Sequence, residues 1–386
     1  MNSVTIFFSL SISVIKKTMK LKLALISILT ISGIISSQNE QNDYKMIQSE
    51  CDSLLLNQEI QAISLGVITN GKVYKFHVGK LSTGETPNDN TLYEIASLTK
   101  TFTGTLLAQA ILEKKATIDD DIRKHLSENF ANLEFNQKPI TFCHLVTHTN
   151  GLPRIFPDSP GLFENPDWDN LPYEINKLQV GFSKFQFFEE LHKVALDTVP
   201  GFKFSYSNVG ANLLGYCLEN MYDKPFEELL SEHILKPLQM TKTRITVPSG
   251  EDKKLLALGL NPNGLVMPSR AEKEMKAEGG LFSTLDDMIK YMEFQLNEEN
   301  EVVKISHQEL LNGKYGDFEN GLFWQIFKNG GNPTKIFQNG GAYGTSSWLT
   351  IIPESKVGVI ILTNVSGPTI HQKLNATANK IIERLE

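Results

Sequence analysis

A serine and a lysine stand three residues apart in "YEIASLTKTFTG", Tyr93 to Gly104. On a helix, Ser97 and Lys100 would share one face, a turn apart. The apolar residues Phe102, Leu106 and Ala110 recur every fourth position after them, so a helix with one buried stripe is predicted to begin here. Ser97 then falls in the first turn, where unpaired backbone N–H groups and the positive helix end suit a developing oxyanion. A serine hydroxyl is a weak nucleophile until a base takes its proton, and a desolvated lysine can help. The spacing is weak by itself, because Ser13 and Lys16 repeat it inside a leader-like segment.

Two further segments add to it. "FKFSYSNVGANLLGY" holds Tyr206-Ser207-Asn208, the one Tyr-x-Asn triplet of the chain. It follows Pro200-Gly201 and precedes an apolar helix, which puts the triplet on a turn aimed outward. "IFQNGGAYGTSSW" places Gly340 and Gly341 at the end of a β run, where glycine lets a ligand approach the backbone.

The elements that must position these residues fall into a pattern. A polar–apolar periodic segment over 41–58 reads as a helix. Two β-rich runs then flank Asn70-Gly71, a type I′ hairpin signal. Residues 97–300 are mostly helical patches broken by Pro and Gly. The chain returns to β in "GLFWQIFKN", "TKIFQNG", "SSWLTIIPE" and "KVGVIILTN", and closes with an amphipathic helix from Thr369 to Leu385. The expected architecture is therefore mixed α/β (α+β). One antiparallel sheet, about 40–95 and 305–386, is packed by the terminal helices; a mostly helical lobe, about 96–304, stands beside it. A cleft between lobes is a common place for a site.

Composition narrows the function classes. The chain has 386 residues, 41% hydrophobic and 21% charged, with a net charge of -7. That is ordinary for a globular protein, and the lack of a basic stripe argues against nucleic acid as a partner. Residues 1–38 read as an export leader. Lys20 and Lys22 precede an apolar run, Leu23 to Ile35, which small residues follow. The run falls short of the roughly 20 residues a bilayer needs. Met19 is a second candidate start. A secreted or periplasmic location is expected, a membrane anchor being the alternative.

Cys51, Cys143 and Cys217 have apolar neighbours and read as buried free thiols, with one disulfide as the alternative. His144 and His148 are four apart on an expected helix, a spacing that can hold zinc. No Glu stands beside His144 and no third ligand is evident, so no metal is expected. The Pro-rich, aromatic stretch 151–174 reads as a lid that could select substrates through Phe156, Phe163 or Trp168. "AEKEMKAE" at 271–278 and "NEEN" at 297–300 read as solvated charge.

Over about residues 60–365 the chain resembles the serine β-lactamase and penicillin-binding protein superfamily, and most its class C branch of β-lactamases, D-alanyl-D-alanine carboxypeptidases, D-aminopeptidases and esterases. Beside Ser97-x-x-Lys100 and Tyr206-x-Asn208, "ITFCHLVTHTNGLPR", "PLQMTKTRI" and "EGGLFSTLDDMIKYM" are similar to segments of that family. The resemblance implies a β-lactamase/transpeptidase-like fold and a serine hydrolase that needs no cofactor. It implies that Ser97 is acylated, that Lys100 and Tyr206 share the proton transfers, and that Asn208 contacts the acyl part. It also implies an oxyanion hole formed by the N–H groups of Ser97 and Gly341. The sequence departs from the family at the third motif, usually Lys-Thr-Gly or His-Thr-Gly, which here reads Gln338-Asn339-Gly340. The missing cation puts β-lactamase action in doubt and favours an esterase or peptidase acting on a small-molecule or peptide substrate. A β-lactamase or D,D-carboxypeptidase, and a non-catalytic binding protein of the same fold, are the alternatives.

Overall fold

The computed structural model describes residues 38–386 except 58, 247, 270–275, 315, 329 and 331–332. All but the last residue of the leader expected over 1–38 lies outside the described residues. A helix runs over 38–55, close to the one predicted over 41–58.

A seven-stranded antiparallel sheet is built from both ends of the chain. Its strands are β1 (Ala62–Thr69), β2 (Lys72–Gly79), β3 (Phe318–Asn320), β4 (Gln325–Phe327), β5 (Lys335–Gly341), β6 (Ser346–Ile352) and β7 (Val357–Thr363), in the order β2-β1-β7-β6-β5-β4-β3. The Asn70-Gly71 turn closes the first hairpin with φ of 50° and 71°, the left-handed pair that a type I′ turn requires. β1, β6 and β7 are mostly apolar and buried at every residue, their few serines and threonines included, which places them at the sheet centre, covered on both faces. β2, whose Val73 and Lys75 are exposed, is an edge.

Two helices cover the two faces. α3 (Leu285–Gln295) lies on β1 and β7, and glycines make room for it. A Cβ on Gly66 would come within 2.9 Å of Ile289, and one on Gly358 within 2.7 Å of the Met292 sulfur. α4 (Ile370–Leu385) packs on β6 and β7, its apolar side Ile370, Leu374, Ala378, Ile381 and Ile382 turned inward.

The helix predicted at Ser97 exists as a short 3-10 turn, Ala96–Leu98, continued by α1 (Thr99–Leu112). It differs from the single stripe expected. Every residue from Thr99 to Ala108 is buried, because α1 runs through the middle of the molecule against α2 (Asn208–Tyr222) and several shorter helices. Its threonines meet that burial with hydrogen bonds: Thr101 donates to Leu98 O and Thr103 to Ala277 O.

Three other expectations are revised. "GLFWQIFKN" is a strand only over Gln325–Phe327, since Phe323 turns left-handed (φ 62°) and Leu322, Phe323 and Trp324 all enter the core. His144 lies within a short helix, Phe142–Val146, whereas His148 lies beyond it with φ 56°, so the two do not share a helix face. Phe156 packs inward against Phe187, with ring centroids 5.1 Å apart, and is no lid side chain. The three cysteines are free thiols; burial pushes Cys51 up to about 12 and Cys143 to about 11. Among the described residues no helix is long and apolar enough to cross a membrane.

Candidate active site

The turn before α1 delivers the serine. Ala96 holds φ 50°, a left-handed setting that costs an alanine about 1–2 kcal/mol. Its neighbours hold it there, because β5 and β6 pack against this turn. Gly340 has no room for a side chain at that contact: a Cβ would lie 2.2 Å from Ile95 O and 2.9 Å from the Ser97 nitrogen. Ser347, opposite Gly340 on β6, donates from its hydroxyl to Ile95 O at 2.8 Å.

Lys100 sits one turn further on, its side chain closed off from solvent. Its Nζ donates to Ser97 Oγ (3.1 Å), Asn208 Oδ1 (2.8 Å) and the backbone oxygen of Glu278 (2.6 Å). The Glu278 carboxylate lies 3.5 Å away and is also buried. This corrects the reading of solvated charge at Glu278, which is buried and lines the site; residues 271–275 of that run lie outside the described residues.

Tyr206 and Asn208 arrive at the start of α2. Ser207 caps that helix, accepting from Gly210 N–H at 3.0 Å, while its hydroxyl donates to Pro153 O at 2.6 Å. Asn208 N–H donates to Arg154 O at 2.9 Å, which ties the 151–174 stretch to the triplet. Tyr206 Oη stands 2.7 Å from Ser97 Oγ, and Lys100 Nζ lies 5.0 Å from the Tyr206 ring centre. His148 packs tilted against the same ring, with centroids 4.4 Å apart and 37° between the planes. Burial, and then the charge of Lys100, push the His148 imidazole down to about 3, so it is neutral; its Nδ1 accepts from Ser207 N–H at 3.3 Å.

Ser97, His148, Tyr206, Asn208 and Glu278 line a cleft of about 1240 Å³. Phe163, Trp168, Phe204 and Phe323 give it aromatic walls, and two of these, Phe163 and Trp168, belong to the stretch read as a lid. Arg154 reaches into it, the guanidinium 4.5 Å from the Phe163 ring and 5.6 Å from the Tyr206 ring.

Of the residues singled out in the sequence, Ser97, Lys100, Tyr206 and Asn208 come together through hydrogen bonds. Gly340 lies against Ser97, with Gly341 next to it on the cleft. Gln338 also borders the cleft, but its amide is engaged within the protein. Nε2 donates to Phe323 O at 2.5 Å, and Oε1 accepts from Asn339 N–H and Gln325 Nε2. Two neighbours were not foreseen. Glu278 carried no signal beyond a run of charge. His371 reads only as a polar position of the last helix, yet its Nε2 lies 3.0 Å from Gly340 O.

The comparisons with known proteins agree with this geometry. The profile of the family described as Beta-lactamase matches residues 37–382. A beta-lactamase from Providencia stuartii is 25% identical over 386 aligned residues, covering 89% of this chain and 93% of that protein. The D-alanyl-D-alanine-carboxypeptidase/endopeptidase AmpH of Escherichia coli (strain K12) is 24% identical over 316, covering 78% and 77%. The solved structure of a beta-lactamase/D-alanine carboxypeptidase from Yersinia pestis, complexed with citrate, shares the fold with a TM-score of 0.73. It is 22% identical and covers 90% of this chain and 99% of that one. With the family profile matching nearly the whole chain around a hydrogen-bonded Ser–Lys–Tyr cluster, this protein belongs to the beta-lactamase family and is a serine hydrolase.

Proposed function

We propose that this protein hydrolyses an ester, amide or lactam carbonyl through an acyl-enzyme on Ser97, with esterase- or peptidase-like selectivity. The observation that carries the reading is the placement of Ser97 Oγ, 2.7 Å from Tyr206 Oη and 3.1 Å from Lys100 Nζ. Lys100 faces two acceptor-only oxygens, Glu278 O and Asn208 Oδ1, with a carboxylate beyond, so it acts as a donor. Tyr206 is then the group placed to receive the serine proton. The step requires Tyr206 as its phenolate: Ser97 Oγ bonds to the carbonyl carbon, its proton passes to the phenolate oxygen to give the phenol, and the carbonyl electron pair moves to oxygen. The Ser97 and Gly341 N–H groups receive that oxyanion. Collapse expels the leaving group, which takes the proton from Tyr206, and water repeats the sequence to release the acid.

Selectivity follows from the cleft walls. One N–H of the Gln338 amide is already bonded to Phe323 O and its oxygen accepts twice, so the third motif offers a substrate carboxylate no cation and at most one neutral N–H. The aromatic walls suit an uncharged acyl group. A β-lactam or D-alanyl peptide is the second reading, and Arg154 favours it as a cation inside the cleft. The leader pattern over 1–38 supports action outside the cytoplasm.

One panel tests both readings: a short-chain nitrophenyl ester, a chromogenic cephalosporin and D-alanyl dipeptides, with mass spectrometry of the trapped enzyme. Ester turnover and an acyl adduct on Ser97 are expected, with Ser97→Ala lowering turnover on the order of 10⁴-fold or more. A Ser97→Ala protein that keeps about a tenth of the activity would show that Ser97 is not the nucleophile. No turnover and no adduct on any substrate would instead favour a binding protein of this fold.

A further inference from the structure

The peptide unit joining Gly340 and Gly341 carries the C=O of one and the N–H of the other. Gly340 faces Ser347 across the ladder between β5 and β6, and Gly341 faces Ser346. The next bond of the hairpin runs from Ala342 N–H to Thr345 O at 3.0 Å. Antiparallel pairs alternate between bonded and non-bonded, so Gly340–Ser347 is a bonded pair and the Gly341 N–H points away from β6. It does so at the end of the strand that lies against the Ser97 nitrogen.

His371, on the first turn of α4, reaches the other end of the same peptide. Its Nε2 donates to Gly340 O at 3.0 Å, and its Cε1 would lie 2.9 Å from a Cβ on Gly341. A carbonyl oxygen has two lone pairs, one for the ladder bond and one for the imidazole. The Ser347 hydroxyl lies 3.4 Å from the same oxygen, but its single proton goes to Ile95 O at 2.8 Å. Burial holds the imidazole below its usual range, with the bond to Gly340 opposing that, so the ring is neutral and carries its proton on Nε2.

We propose that His371 is a positioning residue for the oxyanion hole: its bond to the Gly340 carbonyl orients and polarises the peptide whose N–H, at Gly341, receives the substrate oxyanion. This rests on the hydrolase reading above. Hydrogen bonds in a chain strengthen one another, so a donor on the carbonyl makes the N–H of the same amide a better donor. The gain is realised as charge develops on the substrate oxygen. It therefore shows in kcat and not in ground-state binding.

The test uses a neutral nitrophenyl ester. His371→Phe removes the donor and is expected to lower kcat about tenfold, with KM within about twofold, a fraction of the 10²–10³ lost with a whole oxyanion donor. His371→Gln, which keeps an N–H donor, is expected to recover most of that loss. Should the phenylalanine variant fail to fold, His371→Glu, similar in size but an acceptor, must show the same kcat deficit relative to His371→Gln. Unchanged kcat in the donor-less variant, a loss confined to KM, or equal loss in Gln overturns the proposal. Failure of the hydrolase reading is distinguishable, because the wild type would then leave the ester intact and carry no adduct on Ser97.

Discussion

The carboxylate of Glu278 lies 3.5 Å from the Lys100 Nζ, and both side chains are shut off from solvent. A buried pair of opposite charges is costly to break, because the partner left behind keeps its desolvation penalty. Glu278→Ala should destabilise the fold by an amount in the lower part of about 3–5 kcal/mol, since the backbone oxygen of residue 278 still accepts from Lys100. Urea unfolding measures it. A loss under about 0.5 kcal/mol would mean that solvent screens the pair.

Tyr206 and Lys100 act on the same serine oxygen, so their losses are not independent. Tyr206→Phe and Lys100→Ala should each remove most of kcat/KM, and the double variant should be little worse than the worse single. Losses that add in full around the cycle would show two separate functions. Normal turnover by Tyr206→Phe would take the tyrosine out of the proton transfer.

Gly340 offers a steric test of the same site. A methyl group there meets two backbone atoms, Ile95 O and the Ser97 nitrogen, neither of which yields as a side-chain end would. Gly340→Ala should displace the nucleophile, and a shift of about 1 Å can cost on the order of 10²-fold in rate. Steady-state kinetics beside a thermal melt separate misplacement from unfolding. A folded Gly340→Ala enzyme with wild-type kcat would be incompatible with this packing.

Arg154 and Gln338 divide the question of charged substrates. Gln338 is bonded within the protein, whereas the Arg154 guanidinium stacks between Phe163 and Tyr206 inside the cleft. If the second reading holds, Arg154→Ala should lower kcat/KM for penicillins roughly 10- to 100-fold, the value of a charged hydrogen bond of about 1.5–3 kcal/mol. Neutral esters should change little, and added salt should shrink the difference. Equal losses on both substrate types would show that Arg154 acts on Tyr206 or on folding and not on a carboxylate.

His148 links stability to pH. The folded imidazole is held at about 3, while the unfolded one takes a proton near its ordinary value of about 6.5. Between those limits the unfolded state binds the extra proton. Stability therefore falls as pH drops from about 6.5 toward 3 and is indifferent to this group above 6.5. The slope from one such group reaches about 1.4 kcal/mol per pH unit. Buried His371 is shifted in the same direction, so the difference between wild type and His148→Gln isolates the group. The variant should show a shallower acid loss in urea unfolding between pH 4.5 and 6.5, a range set by those two limits. Parallel slopes would mean that His148 is protonated in the folded protein.

The chain order by itself determined whatever depends on near neighbours. Ser97 and Lys100 share a face because they are three apart, and Asn70-Gly71 turns because asparagine and glycine tolerate left-handed backbone. The β-rich runs of β6 and β7 marked strands, and the Tyr206 triplet stood out by its fixed spacing. Only the tertiary structure decided the partners. Glu278 is 178 positions from Lys100 and His371 is 31 from Gly340; in each case the contact depends on how elements cross, which no local pattern encodes. The inward turn of Phe156, the bonding of the Gln338 amide and the burial of α1 on all sides are of the same kind. Residue type limits what a side chain can do, but burial and partner, set by packing across the whole chain, decide which of those things it does.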